Sequence, residues 1–180
     1  MKISVYIATS LDGFIARENG ALDWLPGSDG PGGEESEADD YGFKAFMGSV
    51  DVLVMGRGTY ETVLSFGQWP YDNIRVIVLS RTLTRLSDQM PQTVKLRSDS
   101  PAALVKDLAA AGAKHLYIDG GKTIQSFLRA GLINEMIITR IPILIGSGIP
   151  LFGPLDEDIK LHHLETRSFA TGFVQSRYEV

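Results

Sequence analysis

Three short stretches carry the residue types that bind anions. In "VMGRGTYE" an apolar run breaks into Gly56, Arg57, Gly58 and Thr59; in "YIDGGKTIQ" another breaks into Gly120, Gly121, Lys122 and Thr123; "VIVLSRT" ends in Ser80 and Arg81. A helix that starts directly after a strand offers unpaired N–H groups and the positive end of its dipole, and glycine lets a phosphate approach that backbone closely. A hydroxyl beside a guanidinium suits a further phosphate. Two such turns suggest a diphosphate, and a third fits the edge where open parallel sheets bind ligands. Taken singly, each is more ordinarily a turn with a solvated cation. Neither glycine turn follows G-x-G-x-x-G or the Walker A spacing, so the ordinary Rossmann and P-loop readings lack support.

The elements that must position these turns are legible as short β-branched runs at 3–9, 50–55, 74–79, 115–118, 136–141, 159–164 and 173–178. Between them, "DSPAALVKDLAAAG" has Ser100 to cap, Pro101 for the first turn and Gly112 to stop, and "GGKTIQSFLRAG" sets Ile124, Phe127 and Leu128 at helical spacing. Strand, helix, strand in repetition implies an α/β fold: a mostly parallel central sheet flanked by helices, with the last two strands forming an antiparallel edge. One domain over 1–180 is expected from the length and the 44% hydrophobic content. The Gly-rich, acidic segment 25–40 reads as a solvated loop.

The net charge of −5 argues against a nucleic-acid footprint, and the absence of cysteine excludes disulfides, thiolate metal sites and cysteine nucleophiles. A reducing cytoplasm fits. "MKISVYIATS" reads as a strand rather than a leader, and no apolar stretch reaches the length of a membrane span. His162 and His163 are adjacent in a strand and point apart, and residues 156–158 lack calcium-loop spacing, so no metal site is expected.

In order along the chain, "ISVYIATSLDGFIARENGALDWLP", "VMGRGTYE", "VIVLSR" and "YIDGGKTIQSFL" resemble the dihydrofolate reductase superfamily. "IPILIGSGIPLF" is more similar to the reductase domain of bacterial riboflavin biosynthesis and its stand-alone relatives. The resemblance implies a dihydrofolate reductase-like fold and an NADPH site. It assigns Gly56, Arg57 and Thr59 to the cofactor phosphates, and Ser80 and Arg81 to the flank of the adenosine 2′-phosphate. Gly120, Gly121, Lys122, Thr123 and Ile124 would run along the pyrophosphate and nicotinamide, with Ala8 and Ile15 bordering the nicotinamide. It also implies a cis peptide at or beside Gly120–Gly121.

Hydride transfer to a C=N or C=O bond needs a proton near the acceptor, so a carboxylate is sought. Asp39 and Asp40 point about 100° apart on a helix, so one of them faces a pocket and the other does not. Helical spacing groups Asp39 with Phe43 and Phe46, whereas the family's spacing to the M-G-R triplet selects Asp40, with Tyr41 and Phe43 nearby. Burial beside aromatics would then raise the Asp40 pKa. The same match places Thr139 as the support of that carboxylate and Trp24 on the active-site loop. Asp12 is a turn former or a polar group at the pocket mouth. The acidity of 27–37 disfavours the glutamate tail of folate. The expected function is NADPH-dependent reduction of a pteridine-like or pyrimidine-like small molecule; the alternative is a nucleotide-binding domain of the same fold without turnover. "IPILIGSGIPLF" is expected either at the two-fold interface of a homodimer or as an intramolecular loop over the pocket.

Overall fold

The structure is a computed structural model and describes residues 1–26, 40–71 and 73–180. Its elements are β1 (Lys2–Ser10), β2 (Phe14–Ala16), α1 (Phe43–Met47), β3 (Val52–Gly56), α2 (Arg57–Ser65), β4 (Arg75–Leu79), β5 (Val94–Arg97), α3 (Pro101–Ala110), β6 (His115–Asp119), α4 (Gly121–Arg129), β7 (Glu135–Ile141), β8 (Ile149–Pro150), β9 (His162–Ser168) and β10 (Val174–Glu179). Eight strands form one sheet in the order β5-β4-β3-β6-β1-β7-β10-β9. The pairings from β5 through β7 are parallel, and β10 pairs antiparallel with both β7 and β9. The mostly parallel sheet with an antiparallel C-terminal edge is therefore as expected.

Alternation along each strand sorts the core onto two faces. Ile3, Val5, Leu116 and Ile118 pack with Leu104 and Leu108 of α3 and with Ile124, Phe127 and Leu128 of α4. Leu53, Met55 and Tyr117 pack on the opposite face with Phe46 of α1 and Tyr60 of α2. Each of these large side chains contributes roughly 1.5–3 kcal/mol of burial. Ser100 caps α3 as its sequence suggests, accepting from the Ala103 N–H at 3.3 Å, with Pro101 in the first turn.

Two elements depart from expectation. β9 begins at His162 rather than 159 and extends to Ser168, because its length is set by the partner strand: Val174 of β10 pairs with Ser168, and the hairpin closes through Phe169 and Phe173. β5 is an additional strand whose four residues are too few to show a period. Within "IPILIGSGIPLF", Ile149 and Pro150 pair with Ala16 and Phe14 in a two-stranded ribbon inside the chain. Among the described residues no helix is long and apolar enough to cross a membrane, and no cluster of metal-ligating side chains occurs.

Candidate active site

The strand order brings the three anion-binding segments together. β4, β3 and β6 are consecutive neighbours, with Gly56 paired to Leu79 and Met55 paired to Asp119. Ser80, the Gly56 turn and the Gly120 turn therefore emerge side by side at one end of the sheet, and α2 and α4 both start there. The two turns interlock. A Cβ on Gly56 would meet Thr123 Oγ1 at 2.6 Å, and a Cβ on Gly120 would land on Thr59 Oγ1. Gly120 also holds φ 88° and ψ 136°, a backbone state that L side chains rarely adopt. Every described peptide is trans, so the expected cis bond beside Gly120 is replaced by this positive-φ turn.

A Cβ on Gly121 would touch Pro150 O at 3.0 Å and Ile15 Cδ1 at 3.1 Å, which places Ile15 and the ribbon against the second turn. Arg57 is half-exposed; its Nε donates to Glu61 Oε1 at 2.6 Å and its Nη1 to Thr82 Oγ1 at 3.3 Å. Ser80 Oγ accepts from the Leu83 N–H at 2.9 Å and so fixes the loop that carries exposed Arg81. Lys122 is exposed, whereas Ile124 is wholly in the core and serves α4 through its N–H to Gly120 O. Gly56 and Gly120 are required by the packing of each turn on the threonine of the other, and the segments that emerge here carry Arg57, Arg81 and Lys122, a composition that suits a dinucleotide phosphate.

The predicted acid is placed differently. Asp40 is exposed, with Oδ1 accepting from the Gly42 N–H and Oδ2 from the Lys44 N–H, both at 2.9 Å. Tyr41 at φ 54° and Gly42 at φ 88° turn the chain so that the first N–H groups of α1 point back at this carboxylate. Those donors, Lys44 first, hold its pKa below the usual value; the expected upward shift is wrong in sign. Asp39 lies outside the described residues, as does the acidic run 27–37. Thr139 is buried, and its Oγ1 accepts from Gln175 Nε2 at 3.0 Å; among the described residues no carboxylate is hydrogen-bonded to it. The same amide donates to Tyr6 Oη at 3.0 Å and to Tyr41 O at 3.2 Å. Trp24 is buried against Ile141 and Phe173, with Ala8 and Tyr41 packed beside it, and its Nε1 has no partner among the described residues. Phe43 lies 5.4 Å from Tyr6, ring to ring. Asp12 is spent within the chain: it accepts from Ser10 Oγ at 2.5 Å, which does most to depress its pKa, and from the Gly146 N–H at 2.8 Å and the Ile145 N–H at 3.1 Å.

A carboxylate not singled out in the sequence stands where the strands converge. Asp119 is the last residue of β6, on the same face as Tyr117, directly before the Gly120 turn. Burial pushes its pKa up to about 6, against the pull of the Gly120 N–H, which donates to Oδ1 at 2.8 Å. Its charge, added to burial, raises the pKa of Tyr71 and of Tyr117, so both phenols stay neutral. The signal was available: alternation in "YIDGG" puts Tyr117 and Asp119 on one face, and a carboxylate at a strand end beside a glycine turn is a natural general acid.

Comparison with known proteins gives the family of the chain. The family model of the RibD C-terminal domain matches residues 1–175. The uncharacterized protein YwjB of Bacillus subtilis (strain 168) is 34% identical over 179 residues, covering 98% of this chain and 97% of that protein. The riboflavin biosynthesis protein RibD of Corynebacterium ammoniagenes is 25% identical over 88% of this chain but only 48% of its own length. The crystal structure named "Putative riboflavin biosynthesis protein" from Shewanella sp. PV-4 superposes with a TM-score of 0.89 at 44% identity, covering 99% of this chain and 98% of that one. With a family model spanning nearly its whole length and relatives similar from end to end, the chain belongs to the RibD C-terminal domain family.

Proposed function

We propose that the chain is an NADPH-dependent reductase that saturates a C=N or C=O bond of a pyrimidine-like or pteridine-like small molecule. The observation that carries this reading is Asp119, a carboxyl with its pKa near 6 at the strand end where two interlocked glycine turns meet. Gly56, Arg57, Thr59, Ser80, Arg81, Gly120, Gly121, Lys122 and Thr123 would hold the dinucleotide, with Ala8 and Ile15 at its nicotinamide end. NADPH, when bound, supplies the hydride that adds to the substrate carbon. The chain's part is the proton. Asp119 Oδ1 is engaged by the Gly120 N–H, which leaves Oδ2 to deliver a proton to the substrate nitrogen or oxygen. Tyr6, Phe43 and Tyr71, each packed against the core cluster of this face, favour a flat heterocycle.

The test is NADPH oxidation assayed against pyrimidinone ribosyl phosphates, dihydrofolate and simple quinones. Turnover of a pyrimidinone or pteridine and its loss by about 10²–10⁴ in Asp119→Asn, with NADPH affinity kept, is the expected result. NADPH binding without reduction of any substrate favours the non-catalytic nucleotide-binding domain; no heat of NADPH binding in calorimetry sinks both. Self-association as a homodimer is a separate proposal, supported by Leu144 and Phe152 at 69% and 45% exposure, and a monomeric mass at micromolar concentration removes it.

A further inference from the structure

The end of the sheet away from Asp119 holds a cluster of polar groups that the proposed reaction does not use. Ser4 of β1 stands between His115 of β6 and Glu135 of β7: Ser4 pairs in register with Glu135, Lys2 pairs with His115, and all three side chains are buried. Ser4 Oγ lies 2.9 Å from His115 Nε2 and 3.3 Å from Glu135 Oε2. A hydroxyl beside an imidazole has the chemistry of a nucleophile with its base, but Ser4 is 0% exposed, so no substrate reaches it. Its chemistry is confined to moving its own hydrogen.

The surrounding bonds decide where the protons sit. His115 Nδ1 faces the Ser49 carbonyl at 3.0 Å, and a carbonyl only accepts, so Nδ1 carries a hydrogen. Ser49 Oγ, 3.1 Å from the same nitrogen, donates its own hydrogen to Phe46 O at 2.6 Å and so is a second acceptor. Nε2 of the neutral ring is then a lone pair that accepts from Ser4 Oγ. Protonation reverses that bond: Nε2 donates to Ser4 Oγ, whose single hydrogen turns to the other acceptor in reach, Glu135 Oε2. Lys2 Nζ at 2.7 Å and Arg177 Nε at 2.6 Å keep this carboxylate ionised to receive it. Of the remaining charges facing the ring, Lys2 opposes the imidazolium and Asp51 favours it, Asp51 being fixed by the backbone N–H groups of Lys114 and His115 at 2.7 and 2.8 Å. From α1 the ring meets Phe46, edge to face at 5.7 Å.

We infer that Ser4 is a hydroxyl switch: when His115 takes up a proton, the Ser4 hydrogen passes from the imidazole to Glu135, so this end of the sheet is charged without losing a hydrogen bond and the tether of α1 through Ser49 persists. The device is independent of the reductase reading and of NADPH. Long-range proton–nitrogen NMR spectra of the intact chain test it, the signal of His115 among the three histidines being assigned with His115→Gln. At pH 8 the wild type is expected to show the Nδ1–H tautomer, and His115 then titrates reversibly in the folded protein. The carbon signal of the Glu135 carboxylate shows a step at the same midpoint. In Ser4→Ala that step is lost and the His115 midpoint falls by at least about half a pH unit, because a charge-assisted chain favours the imidazolium more than one neutral bond favours the imidazole. Ser4→Thr, which keeps the hydroxyl, retains both. An Nε2–H tautomer in the wild type, unfolding at the His115 midpoint, or a step and a midpoint unchanged in Ser4→Ala overturns the inference. The tautomer and the carboxylate step are read on the wild type, so they decide even where a variant does not fold.

Discussion

Asp119 and Asp40 show how the same side chain acquires opposite properties from its setting. Asp119 is desolvated and meets a single N–H, so its proton is held more tightly than in the unfolded chain; Asp40 is solvated and meets two N–H groups, so its proton is held less tightly. For Asp119 the folded pKa of about 6 exceeds the ordinary 3.8, so its favourable contribution is complete below 3.8 and is lost as pH rises through about 6. Asp119→Asn therefore stabilises the protein above pH 6, by up to about 3 kcal/mol, while abolishing the proposed proton transfer. Thermal melts at pH 4 and pH 8 check this: the gain appears only at the higher pH. The activity of the wild type should in turn fall as pH rises through about 6. Asp40 has the reverse sign, its contribution present above 3.8 and lost on acidification. Asp40→Ala is expected to lower the melting temperature by a few degrees at pH 7 and to leave kcat close to wild type.

At the scale of elements, the glycines of the candidate site are not equivalent. Gly120→Ala would force a side chain into a positive-φ turn and onto Thr59, so NADPH affinity should drop at least tenfold, measured by calorimetry. Gly58 lies inside α2 with nothing within 4 Å of a Cβ, and Gly58→Ala should stabilise by about 0.5–1 kcal/mol in denaturant titration without loss of cofactor. The strands and the two long helices were legible because period 2 and period 3.6 are written locally, and the glycine turns because strand and helix abut there. Asp40 was misread because its fate depends on backbone that bends at Tyr41 and Gly42, which family spacing does not encode. The interlocking of Gly56 with Thr123, and of Gly120 with Thr59, depends on strand order, a non-local property. Asp119 was the avoidable miss, since alternation alone sets it on the face of Tyr117.

The whole molecule is tied together at the end of the sheet away from Asp119. Glu135 is buried between Lys2 at 2.7 Å and Arg177 at 2.6 Å, and Ser4 Oγ joins it to His115. Burial alone would raise the Glu135 pKa, but its bonds to Lys2 and Arg177 outweigh that and lower it. Its contribution is therefore present above 4.5 and lost as pH falls further. Glu135→Gln should cost about 1–3 kcal/mol at pH 7, because it leaves a buried carboxylate's partners unmet, and the difference should shrink in urea titrations below pH 4.5. Desolvation lowers the His115 pKa, so this residue adds acid sensitivity as pH falls below 6.5.

The strand at Lys2–Ser10 lies between the strands of residues 115–119 and 135–141. During translation it leaves the ribosome before either of its flanks, which are made only at residues 115–119 and 135–141. A nascent chain arrested before residue 135 leaves at least one side of an apolar ribbon unpaired, so stalled products of this gene are natural clients for chaperones and proteases.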